Sequence, residues 1–200
     1  MLQAEADTGL VDALTDGARN FLMVGRIAPN KGHLDLIEAF SAYVRAYAEP
    51  ARLLLVGKID SRLQTYTDAI RQRIDEHELS EHVQWINAAS EAQLKAAYLS
   101  SHVFMLLSEH EGFCVPLIES MALGVPIVAH ASSAVPETLG DAGIAWEEKD
   151  PWLYAASAAR LFSDDEARGD LLDCGRRRYQ DSFSNDVLKK RFIDFLEPVL

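Results

Sequence analysis

Residues 102–130 read HVFMLLSEHEGFCVPLIESMALGVPIVAH. HVFMLLS (102–108) and VPIVAH (125–130) are apolar runs of strand length, and Pro116 between them suits the start of a helix. Strand, helix and strand in that order make a parallel pair with a crossover. Apolar runs of this kind belong to strands covered on both faces. The link is where polar groups collect: Glu111 and Glu119 stand eight positions apart around Gly-Phe-Cys-Val-Pro.

The same alternation extends outward. Further strand-like runs are NFLMVG (20–25), ARLLLVG (51–57), HVQWIN (82–87) and GIAWEE (143–148). Between them Leu36, Ile37, Phe40 and Val44 fall on one helical face, as do Ile70, Ile74 and His77. Ser90 with Gln93 forms a capping box, and Asp150 followed by Pro151 supplies an N-cap with proline at the first helical position. Beyond Asp150 the strand signal stops and three helices follow, the last over residues 184–200. The pattern predicts an α/β fold: a Rossmann-like, doubly wound parallel sheet of about six strands with about seven helices. Residues 1–17, rich in small and acidic types, read as a linker or domain tail, and 18–200 as one domain.

The chain has 200 residues, a formal charge of -12 and a pI near 4.9. A field of that sign repels phosphate backbones, so no nucleic-acid partner is expected and any phosphate site must be local. Cys114 and Cys174 lie 60 positions apart without metal-ligand spacing, which points to a reduced, cytoplasmic protein with no metal site. No apolar run approaches the roughly 18 residues needed to cross a bilayer, and the acidic N-terminus is unlike a targeting peptide.

In open α/β sheets ligands bind outside the carboxyl ends of the strands, so those loops carry the chemistry. In GRIAPNKGH (25–33), Gly25 lets the chain turn, and Arg26 and Lys31 bring two cations beside a helix start. Such a pair can hold a diphosphate through charge-assisted hydrogen bonds and the helix dipole. Two solvated surface cations would give the same spacing. After 102–108, a helix opening at Pro116 leaves the amides of Gly112, Phe113, Cys114 and Val115 without intrahelical partners, and donors of that kind attract anions. Glu119, about one turn into the helix, can accept from a vicinal diol such as a ribose, while Glu111 can reach a second polyol. Taken singly, Glu111 also fits a solvated loop and Glu119 a helix-dipole partner. Trp85, Trp146 and Trp152 read as packing residues. His33, His110 and His130 sit near strand ends, and Arg176 to Arg178 read as a solvated face or a contact with another domain.

The stretch Glu111-Gly112-Phe113-Cys114-Val115-Pro116-Leu117-Ile118-Glu119, followed by SMALGVPIVA, resembles the glutamate-seven-residue-glutamate signature of the retaining glycosyltransferases of family four, the group-one glycosyltransferases. VGRIAPNKGHLDLIEAF, ARLLLVGK, SEAQLKAAYLSSHVFMLLS and AVPETLGDAGI resemble further blocks of that family in the same order. The resemblance implies the C-terminal, donor-binding half of a GT-B enzyme, without its N-terminal acceptor-binding half. It implies that Arg26 and Lys31 neutralise the diphosphate of a nucleotide-sugar donor, GDP-mannose or a UDP-hexose. Glu119 would hold the ribose, and Glu111 with the Gly112–Val115 amides would contact sugar and phosphate. Gly25, Arg26, Lys31, Glu111, Gly112, Phe113, Cys114, Val115 and Glu119 are thus the donor-site residues, with Arg26, Lys31 and Glu111 carrying catalysis and no metal or other cofactor required. On these roles Glu111→Gln leaves nucleoside diphosphate binding nearly unchanged. The family more often has glycine where this chain has Cys114, which is compatible with the turn if its φ is negative. The implied activity is hexose transfer in polysaccharide or glycoconjugate synthesis at the cytoplasm or the inner face of a membrane, which the missing half would contact. A non-catalytic nucleotide-sugar module is the alternative. A flavodoxin-like protein would show an acidic cluster at the first strand end or a Ser/Thr phosphate loop, and neither is present.

Overall fold

The computed structural model describes residues 1–196, so the end of the last expected helix, 197–200, lies outside the described residues. Six strands form a single sheet: β1 (Arg19–Val24), β2 (Ala51–Val56), β3 (Val83–Ile86), β4 (Val103–Leu106), β5 (Ile127–His130) and β6 (Ile144–Trp146). Their order is β3-β2-β1-β4-β5-β6 and all five pairings are parallel. Central β1 lies between Leu53 of β2 and Val103 of β4 at Phe21.

Covered faces explain why the strands are apolar without alternation. Phe21 and Met23 point into one core with Phe40, Tyr43, Leu53, Met105 and Tyr154. Leu22 and Val24 point into the other, with Leu54, Phe104, Leu106, Leu117 and Met121. The first face is covered by α2 (His33–Ala46), α3 (Gln64–Glu76) and α7 (Pro151–Ser163). The second is covered by α4 (Glu91–Leu99), α5 (Val115–Leu123) and α6 (Val135–Leu139). Burying one Phe or Leu contributes about 1.5–3 kcal/mol, against about 0–1 kcal/mol for an exposed ion pair. The two apolar layers therefore outweigh the surface charges in holding the sheet.

The anticipated boundaries hold where side chains cap. Ser90 and Gln93 make both bonds of the capping box, and the Asp150 carboxylate accepts from the Trp152 amide. Residues 1–17 depart from the expectation of a linker or tail, because α1 (Thr8–Leu14) is capped by Asp7 and packs on α4 with Leu14 buried. Its short apolar stripe, Leu10 and Leu14, is easily lost among small and acidic neighbours. After α8 (Asp165–Arg178) a π-turn at Tyr179–Phe183 leads to α9 (Asn185–Leu196). Trp85 and Trp146 are half-buried, but Trp152 is 56% exposed. It occupies the first turn of α7, on the side away from Tyr154 and Ala155, which face the core.

Candidate functional site

The strand order reverses between β1 and β4. The crossover from β1 leads to β2 and that from β4 to β5, on opposite sides, so the two following loops part and leave a crevice at their shared end. Both loops carry the residues singled out by sequence.

After β1, the Gly25 amide bonds the Val56 carbonyl (2.9 Å), Arg26 is exposed, and Pro29–Lys31 forms a short 3-10 turn closed by Gly32. Gly32 has φ 67, and a Cβ there would lie 2.0 Å from the Leu107 carbonyl oxygen. Only glycine permits the two loops to touch at this point. The contact continues as the Glu109 amide bonds the Asn30 carbonyl (2.9 Å), while Ser132 Oγ donates to the Ser108 carbonyl (2.6 Å) from beyond β5. Lys149, from the loop after β6, joins Asp35 of α2 to Glu109. The loop after β4 is thus held from three sides.

Held in this way, Glu111 meets Lys31: Nζ and Oε1 are 2.7 Å apart, with the side chains 18% and 7% exposed. The Glu111 carbonyl accepts from the Ala134 amide at 3.3 Å. Arg26 pairs with no carboxylate among the described residues. The next four amides, Gly112 to Val115, donate to no protein acceptor among the described residues, and they surround the N-terminus of α5, where the dipole is positive. Phe113 and Val115 are half-exposed, at 49% and 53%.

Cys114 departs from expectation. It is buried and has φ 56 and ψ 68, the left-handed region. The condition set for cysteine at this turn, a negative φ, is not met. The chain must reverse here to enter α5, and burial of the side chain among Leu117 and Met121 offsets the backbone cost. Burial also pushes the Cys114 thiol up to about 12, with Glu111 adding to the effect, so it is an inert packing group.

Glu119 lies on α5 and lines a cleft of about 480 Å³ with Phe113, Val115, Ile118, Tyr179 and Phe183. Burial raises its carboxyl above the ordinary range, and the Tyr98 hydroxyl, donating to Oε2 at 2.9 Å, opposes that rise. Tyr98 was not singled out by sequence: it stands in the apolar run of α4, and nothing local marks its partner. Arg178 departs from the expectation of a solvated face or a contact with another domain. It instead reaches α6, where Nε donates to the Thr138 carbonyl (2.7 Å), and it lines a cavity of about 320 Å³ with Gly112 and Phe113. Among the described residues Arg176 pairs only with Asp173 of its own helix, as a solvated face requires. Of the three histidines, His110 bonds Ser133 and His130 bonds the Trp146 carbonyl, whereas His33 is fully buried.

Residues 12–178 match the family model described as "Glycosyl transferases group 1". The chain is 24% identical over 147 residues to the O-antigen chain mannosyltransferase B of Escherichia coli, covering 74% of this chain and 38% of that protein. It therefore spans well under half the length of that relative. Its backbone superposes on Anabaena Alr3699/HepE, solved in complex with UDP and glucose, with a TM-score of 0.84 at 16% identity, covering 97% of this chain and 53% of that one. The C-terminal domain of a group 1 family glycosyl transferase, LpcC from Francisella tularensis, superposes with a TM-score of 0.77 at 22% identity. There the coverage is 91% of this chain and 95% of that one.

Proposed function

Because this chain belongs to the group 1 glycosyl transferases, we propose that it is the donor-binding half of a retaining hexosyltransferase that uses a nucleotide-diphosphate sugar. One observation carries the reading: Lys31 and Glu111 meet at the reversal of strand order, beside four amides at the start of α5 that have no protein acceptor among the described residues. A diphosphate suits those amides and cations, and a sugar attached to it would extend toward Glu111.

In this reading Arg26, Lys31 and the Gly112–Val115 amides stabilise the departing diphosphate. Each well-placed donor contributes roughly 3 kcal/mol to the transition state. Fixed cations make a divalent ion unnecessary. Glu119, held by Tyr98, takes the ribose diol, and Gly25 gives the diphosphate a close backbone approach. Glu111 orients the sugar for front-face departure and attack, which retains configuration without a covalent enzyme intermediate. An acceptor-binding domain supplies the other wall of the cleft, any base that activates the acceptor, and peripheral contact with a membrane at its cytoplasmic face. Mannose is the preferred hexose, from the name of the Escherichia coli relative; GDP-mannose and UDP-hexoses are the donors to test first.

Calorimetry with GDP, UDP and ADP, their sugars and the corresponding nucleosides tests the reading. We expect one nucleoside diphosphate family to bind, and Lys31→Ala and Arg26→Ala to weaken the diphosphate by tenfold or more while leaving the nucleoside within about twofold. Equal losses for both ligands would overturn the phosphate assignment. A non-catalytic sugar-nucleotide module would bind in the same way, yet show no transfer when joined to an acceptor domain.

A further inference from the structure

The backbone that carries Glu111 is held beside Lys31. The Glu111 carbonyl is tied to the Ala134 amide, and the Glu109 amide two residues earlier is tied to Asn30, the neighbour of Lys31. The 2.7 Å pair is also largely removed from water, so its attraction is weakly screened and losing either partner is costly. Any anion that engages Lys31 must therefore contend with a carboxylate already seated on it. Glu119 differs, since its partner is the neutral hydroxyl of Tyr98.

Resting on the reading that Lys31 takes the donor diphosphate, we infer that Glu111 is a specificity-determining residue that competes with phosphate for Lys31, favouring a sugar-bearing donor over the bare nucleoside diphosphate. A diphosphate drawing Lys31 toward itself leaves the Glu111 carboxylate buried and short of a donor. Hydroxyl groups of an attached sugar can replace the lost ammonium contact, because a carboxylate accepts several hydrogen bonds. A nucleoside diphosphate has no such hydroxyls at that end. Once the sugar has gone, Glu111 reclaims Lys31 and the diphosphate is expelled. One ion pair thus couples the presence of the sugar to retention of the nucleotide, and no moving segment is needed.

This alters the expectation that Glu111→Gln leaves nucleoside diphosphate binding nearly unchanged. Titrations of UDP, GDP and ADP, and of UDP-glucose, GDP-mannose and ADP-glucose, into the whole chain and its Glu111→Gln and Glu111→Asp variants test it. For the base the wild type prefers, Glu111→Gln should tighten the nucleoside diphosphate about tenfold and leave the sugar nucleotide unchanged or weaker. Glu111→Asp, which keeps the charge on a shorter arm, should gain less, and it provides the reading if the Gln variant fails to fold. An unchanged or weakened nucleoside diphosphate overturns the competition. Equal tightening of both ligands also overturns it, because that is general relief of charge. A wild type that binds none of the six ligands sinks the donor reading itself, whereas normal wild-type binding with either of those variant outcomes sinks only the competition.

Discussion

At the scale of single residues, Cys114 separates backbone cost from packing. A non-glycine residue in the left-handed region carries a cost of about 1–2 kcal/mol, while its buried side chain packs beside Leu117 and Met121. Cys114→Ala keeps the backbone cost and loses the sulfur contacts. Cys114→Gly loses the whole side chain and removes the cost. Urea denaturation should find the alanine variant destabilised by about 1 kcal/mol and the glycine variant at least as stable as the alanine one. A glycine variant clearly weaker than alanine would mean that the turn stores no strain. The cysteine itself was visible in the sequence, but its φ was not, since φ depends on how the loop after β4 is pinned by Asn30, Ala134 and Thr138.

At the scale of elements, α2 opens on a buried histidine. His33 is fully buried, and neither ring nitrogen has a hydrogen-bond partner among the described residues. Burial lowers its pKa to about 4; the Ala28 carbonyl offsets part of this without reaching hydrogen-bond geometry, and Lys31 adds to the lowering. The unfolded chain takes up that proton near pH 6.5, whereas the folded chain refuses it until about pH 4. Stability is therefore complete above pH 6.5 and falls as pH drops toward 4, by roughly 3 kcal/mol in all. Comparing wild type with His33→Leu in urea at pH 7 and pH 4.5, the wild type should lose more stability than the variant. Parallel losses would show that His33 is not the group responsible. The helix itself was legible from Leu36, Ile37 and Phe40. The burial of His33 was not, because it follows from the close contact of Gly32 with Leu107, a residue 75 positions away.

At the scale of the whole molecule, six strands covered on both faces make a complete pair of cores. The chain should consequently unfold in one cooperative transition. Transfer is another matter, because in the proposed reading the other wall of the cleft belongs to an acceptor-binding domain. We expect donor-dependent transfer by this chain alone to be far slower than about 1 per second, and to rise when an acceptor-binding domain is joined to it. Turnover at an ordinary rate by residues 1–200 alone would sink the half-enzyme reading. Among the described residues no helix is long and apolar enough to cross a membrane.

What the amino-acid sequence determined unaided was the periodic part of this protein. Apolar runs of strand length, helical faces and side-chain caps are local, so NFLMVG, ARLLLVG and the Ser90–Gln93 box disclosed the sheet and its helices. The spacing of Glu111 and Glu119 picked out the loop after β4 as the candidate site. Tertiary structure alone decided which groups meet there. The Lys31–Glu111 pair spans 80 positions, Tyr98 finds Glu119 across 21, and Arg178 reaches Thr138 across 40. Such pairings depend on the order of strands in the sheet, and that order is set by which faces the crossovers bury and not by any neighbour along the chain.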